Sequence, residues 1–199
     1  MANTKSKNQI LQMTQAAMII AILILLQITG IGFIMVPPVS FTIMHIPVII
    51  GAVIMGPYWG ALFGGIMGLS SLINASFRGT SPVDLAFSPF YSGSPISSII
   101  MSVVVRILIG LVAGLVFKAL VKHSANDIIS AVIAAFLATL TNTAGVMGCL
   151  WLLFPKFNVT FKAVIQTIFA VNFLIEAGLA IVFALAFAKV LPAIVKKRN

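Results

Sequence analysis

Acidic residues are the scarcest feature of this chain. Of 199 residues three are Asp or Glu and twelve are Lys or Arg, so charged side chains make up 8%. A soluble domain of this length needs about three times that share to cover its surface. Three carboxylates also leave almost nothing for a proton relay or for two-carboxylate catalysis. The single cysteine, Cys149, excludes an intramolecular disulfide and says nothing about redox compartment. One cysteine and two distant histidines are poor material for a metal site or thiol chemistry. The phosphate-cradling pattern G-x-x-x-x-G-K-[ST] is missing, so the chain does not hydrolyse ATP by that route. H-E-x-x-H and G-x-S-x-G are missing too, and no base is placed near Ser70-Ser71.

What is abundant is apolar. Hydrophobic residues make up 61% of the chain, in recurring runs long enough to cross a bilayer. The expected fold class is an all-α integral membrane protein: six transmembrane helices in one compact bundle, with no room for a soluble nucleotide-binding domain. The spans are expected at residues 10–28, 42–55, 58–76, 95–120, 127–153 and 161–191, forming one substrate-binding domain over 1–199. Lys5 and Lys7 ahead of the first apolar run imitate a signal peptide, but no small-x-small cleavage site follows, so a retained first helix is expected. Phe41 to Ile73 holds no Asp, Glu, Lys or Arg. As one helix it would reach ~50 Å, well beyond the ~30 Å hydrocarbon core. "MGPYWG" near its middle therefore reads as a turn between two antiparallel spans, with Tyr58 and Trp59 at the interface. "TGIGFIMVPP" is too rich in Gly and Pro for a helix and reads as an apolar loop or re-entrant segment.

Six spans put both termini on one side. Lys5, Lys7, Lys118, Lys122, Lys189, Lys196, Lys197 and Arg198 fall there, against Arg78, Lys156 and Lys162 opposite. That asymmetry makes the termini cytoplasmic, and the net charge of +9 reads as topology and anionic-lipid contact. The first, third and fifth connections then face outward, carrying aromatics, prolines and hydroxyls.

Small residues recur four apart: Gly60, Gly64 and Gly68; Gly110 and Gly114; Ala17 and Ala21; Ala134 and Ala138; Ala180, Ala184 and Ala188. Such stripes let backbones approach closely. Each one reads either as packing inside the bundle or as a docking face for another membrane subunit, the first span being the best candidate for the latter.

Polar groups at membrane depth are costly unless satisfied. Arg106 and Glu176 reach similar depth from the outer end. They read as a structural ion pair, or as an arginine that also receives an anionic ligand through its planar donor fork. Asn74, Asn142, Asn172 and Gln166 fall in or near the outer halves of their spans, where amides suit a ligand's hydroxyl and amide groups or join helices. His45 opens the second span, as a helix-end partner or a ligand contact. Phe87, Phe90, Tyr91 and Trp151 would cap an outer cavity or form an aromatic belt.

Together the six spans, the basic cytoplasmic face, Ala17 and Ala21, and the hairpin "IMHIPVIIGAVIMGPYWGALFGGIMGL" resemble the substrate-binding S components of energy-coupling factor (ECF) vitamin transporters. "HIPVIIGA" and "WGALFG" followed by "FSPF" look most like the pantothenate-specific branch. The resemblance implies tight vitamin binding near the outer surface. It also implies a transmembrane coupling subunit docked at Ala17 and Ala21, and two cytoplasmic ATPases that use the ATP. No cofactor is implied for this chain, and its expected place is the inner membrane of a prokaryote. It further implies a subunit that topples in the membrane to deliver its cargo. Arg106 or Arg78 would suit the carboxylate of pantothenate; Asn74, Asn142, Asn172 and His45 would suit its hydroxyls and amide. A different vitamin (folate or pyridoxine), an autonomous secondary carrier and an intramembrane enzyme are the competing readings.

Overall fold

The computed structural model describes residues 2–34, 41–79, 82–123, 126–155, 162, 166 and 171–188. Helix α1 is Ala2–Thr29, followed by two short antiparallel strands, β1 (Phe33–Ile34) and β2 (Phe41–Thr42). Then come α2 (His45–Met55), α3 (Pro57–Arg78) and a short α4 (Pro82–Ala86). The next helix starts as α5 (Pro95–Ile99), passes through a π-helical turn (Ile100–Val104) and continues as α6 (Val105–Lys122). Helices α7 (Asp127–Leu153) and α8 (Val171–Ala188) complete the described chain.

Four helices are long and apolar enough to cross a membrane: Ser6–Thr29, Pro57–Arg78, Pro95–Lys122 and Asp127–Leu153. Most of the expected boundaries fall within a few residues of these. Residues 161–170 and 189–191 of the expected last span lie largely outside the described residues. Two expectations are corrected. The connection after α1 is not simply a loop, because Phe33 pairs with Thr42 and Ile34 with Phe41. The second expected span is a half-length helix: the 11 residues of α2 reach ~16 Å, half the hydrocarbon thickness.

The turn between α2 and α3 is a single residue. Gly56 adopts φ 101°, open to glycine and strained for any L side chain, and Pro57 starts α3 with its φ already helical. Because α2 is half as long as α3, it covers only the first part of its neighbour. Ser71 and Asn74, further along α3, run past the start of α2 and frame a gap at that end of the bundle.

The tightest packing joins α3 to α6. A Cβ placed on Gly60 would collide with the Gly110 carbonyl, and one on Gly64 with the Arg106 carbonyl. At Gly68 it would stand 2.7 Å from the Ser102 carbonyl. The glycine stripes of α3 and α6 therefore serve internal packing, one of their two readings. Ala134 and Ala138 of α7 are likewise buried, with Ile109 and Ala113 of α6 and Ala180 of α8. Helix α1 is different: Ala16, Ile19 and Leu23 face the bundle, while Ala17 and Ala21 lie on the exposed face.

Substituting Gly64→Ala should lower stability by about 1–3 kcal/mol, because backbone on both sides must move. In a detergent melting experiment that is a fall of roughly 2–10 °C. Gly148→Ala, where a Cβ meets nothing within 4 Å, should leave the melting temperature unchanged.

Candidate functional site

The gap beside α2 is a cavity of about 400 Å³ counting its mouth, lined by Thr42, Ser71, Asn74, Ala75, Asp84, Phe87 and Arg106. It lies at the end of the bundle where β2 meets the start of α2 and α4 follows α3. Ser71, Asn74 and Ala75 follow helical spacing on one face of α3. Ser71 returns its hydroxyl to the Met67 carbonyl at 3.0 Å, the usual behaviour of a buried helical serine.

Arg106 dominates the cavity. Its side chain is 4% exposed, yet its partners are few: Nη1 donates to the Met101 carbonyl at 3.5 Å and Nε has no hydrogen-bond partner. The π-helical turn lies immediately ahead of it, with Val105 donating its N–H to the Ile100 carbonyl. One extra residue per turn rotates whatever follows about the helix axis, and such turns recur at functional sites. Phe87 lies across the guanidinium, with Cζ 5.0 Å from the ring centroid.

Glu176 is 8% exposed and accepts from the Thr42 backbone N–H at 3.1 Å, with the Asn142 side chain beside it. It feels the charge of Arg106 but forms no ion pair with it within 4.0 Å. The expected structural ion pair is therefore corrected. Glu176 joins α8 to β2 through a neutral donor and leaves the arginine's donors unspent. His45 is fully buried near Arg106, and neither ring nitrogen has a hydrogen bond of good geometry, although the Thr42 backbone is adjacent. Asn142 likewise has an unpartnered Oδ1. Arg106, His45 and Asn142, from three helices, thus each keep an unpartnered buried polar atom, and of the three Arg106 lines the cavity.

Of the residues singled out from sequence, Arg106 and Asn74 line the cavity, and His45 and Asn142 are buried around it. Phe90 and Tyr91 are 81% and 65% exposed on the turn after α4 and do not line it, and neither does Trp151 at 41%. Asn172 sits near the start of α8, but its side chain lies outside the described residues. Arg78, the alternative carboxylate partner, is engaged elsewhere. Its Nη1 and Nη2 donate to the Gln27 and Ile28 carbonyls at 3.3 and 3.2 Å, closing the end of α1. Sequence reasoning missed Thr42, Ser71 and Asp84. The spacing of Ser71 from Asn74 was a readable signal, whereas Thr42 contributes a backbone amide that residue type does not reveal.

The sequence matches the family described as "ECF transporter, substrate-specific component" over residues 11–187. The chain belongs to that family. It is also 33% identical over 171 residues to the pantothenic acid transporter PanT of Lactococcus lactis subsp. cremoris, covering 81% of each chain. The Arg106 cavity mixes Thr42, Ser71, Asn74, Asp84 and Arg106 with the apolar Ala75 and Phe87.

Removing Glu176 tests how this end of the bundle is held. Glu176→Ala leaves the Thr42 N–H without an acceptor and should cost about 2–4 kcal/mol. Glu176→Gln keeps an acceptor for Thr42 and should cost less than half as much. Equal losses in thermal melting would mean that charge, not the Thr42 hydrogen bond, is what Glu176 supplies.

Proposed function

We propose that the chain is the vitamin-binding subunit of an ATP-driven ECF importer, that its substrate is pantothenate, and that Arg106 receives the substrate carboxylate. The observation that carries this reading is Arg106 itself, a 4% exposed guanidinium on a cavity wall whose Nε has no partner. A buried cation left so sparsely bonded is costly unless an anion completes it. A carboxylate matches its planar fork. The N-terminus of α2, three residues past the cavity-lining Thr42, adds the positive end of a helix dipole.

Pantothenate carries two hydroxyls and an amide besides its carboxylate. Asn74 and Ser71 supply donors and acceptors on the α3 wall, and Asn142 and His45 have spare capacity behind Arg106. The pantothenate transporter relative agrees in substrate class.

In the bilayer of a prokaryotic cell the chain has six membrane segments, the half-length α2 among them, with both termini cytoplasmic and the cavity open outward. A transmembrane coupling subunit docks on the exposed face of α1, at Ala17 and Ala21. Two cytoplasmic ATPase subunits supply the energy, since the chain carries no phosphate-cradling motif of its own.

The test is equilibrium binding of radiolabelled pantothenate to the purified chain, competed by unlabelled vitamins. Saturable binding should weaken at least about tenfold in Arg106→Ala, the usual scale for losing a charge-assisted pair. Arg106→Lys should recover only part, because an ammonium lacks the fork. Displacement by another vitamin without preference for pantothenate would overturn the substrate, and uptake by the chain alone in ATP-free liposomes would overturn the division of labour.

A further inference from the structure

We propose that Phe87 is a positioning residue for Arg106: by covering the guanidinium, it sets the preference of the cavity for a carboxylate over the corresponding alcohol. This rests on the reading that Arg106 receives the substrate carboxylate, and it assigns a role to a residue that is not itself an anion partner.

The geometry points to this in two steps. First, the Phe87 ring lies 5.0 Å from Arg106 Cζ and also lines the cavity. An aromatic face attracts a cation and repels an anion, so a ring on one face of the guanidinium leaves the in-plane donors as the place where an anion binds. It also displaces water from that face without spending a donor. With Nη1 on a single long bond to Met101 and Nε bare, no network of hydrogen bonds fixes the plane of the fork. The ring packed against the guanidinium is therefore a contact that can hold its plane.

Second, the backbone carrying Phe87 is stitched to the bundle by serines rather than left as a loose loop. Ser102, in the π-helical turn, donates to the Phe87 carbonyl at 3.2 Å. Ser98 donates to the Ala86 carbonyl at 2.6 Å, and Ser88 shares a 2.9 Å hydroxyl contact with Ser76 of α3. Ala86, Ser88, Ser98 and Ser102 are all buried. The irregular turn that precedes Arg106 thus also anchors the ring against it, so the two sides of the contact share one rigid support. Three buried hydroxyls committed to one strap exceed what an ordinary outer connection requires.

The test compares pantothenate with pantothenol, the alcohol that lacks only the carboxylate, on the purified full chain. Wild type should prefer the acid, and Phe87→Leu, which keeps apolar volume but loses the ring face, should reduce that preference by about tenfold. Pantothenol affinity should fall by clearly less than that of the acid, and an unchanged thermal melt reports an intact fold. Phe87→Tyr should restore the preference. Ser102→Ala, which frees the Phe87 carbonyl while keeping the ring, should reduce it in the same direction and by less. Equal weakening of acid and alcohol in Phe87→Leu would make the ring a mere wall and overturn the proposal, as would an unchanged preference in both Phe87→Leu and Ser102→Ala. Wild type that binds neither compound would overturn the underlying reading and this inference with it, whereas an intact wild-type preference isolates the failure to Phe87.

Discussion

A buried arginine with too few partners governs this structure. Arg106 holds its charge inside an apolar bundle, where an uncompensated ion is among the most expensive features a fold can carry. Its environment softens the cost without cancelling it: Phe87 covers one face, Glu176 lends a field from beyond ion-pair distance, and Met101 accepts one long bond. A bundle optimised for stability alone would have closed the Arg106–Glu176 pair. Glu176 instead spends an oxygen on the Thr42 amide, and Arg106 Nε stays without a partner.

The rest of the architecture follows from placing that charge. Gly64 lets α3 ride against the Arg106 backbone carbonyl, so the arginine's main chain is clamped while its side chain turns toward the cavity. The π-helical turn just before it supplies the change of phase. The short α2 opens the space, since a full-length second helix would fill the volume beside Ser71 and Asn74. Close packing, a helix defect and a helix of half length thus converge on one small volume. Local departures from ideal helix geometry cluster where function needs them.

Much of this was legible in the sequence, for identifiable reasons. The long helices announce themselves because a bilayer demands apolar runs of fixed length, and α7 appears within the bounds expected of it. Arg106 stands out because a charge in an apolar run always asks for a reason. What periodicity could not give was the fate of each partner. Arg106 and Glu176 at similar depth look like a pair on paper, and only side-chain direction separates them. Phe87, Phe90 and Tyr91 are one aromatic cluster in sequence, yet one is on the cavity wall and two are outside. The π-helical turn carries no signature in "IMSVV". The long helices α3 and α7 pack against it, so its geometry belongs to tertiary packing rather than to local residue type.

The same logic explains why the two faces of α1 differ so sharply. Little of α1 is buried in the bundle, chiefly Ala16, Ile19 and Leu23, while Ala17 and Ala21 face outward among large exposed side chains such as Met13, Met18 and Leu25. Lipid accepts large apolar side chains readily and gains nothing from small ones, so alanines on a lipid face add no stability there. Small residues matter where another backbone comes close. Inside this bundle that role is filled by Gly60, Gly64, Gly68 and Gly110, each already occupied by a neighbour. Ala17 and Ala21, by contrast, are exposed on the least buried of the long helices.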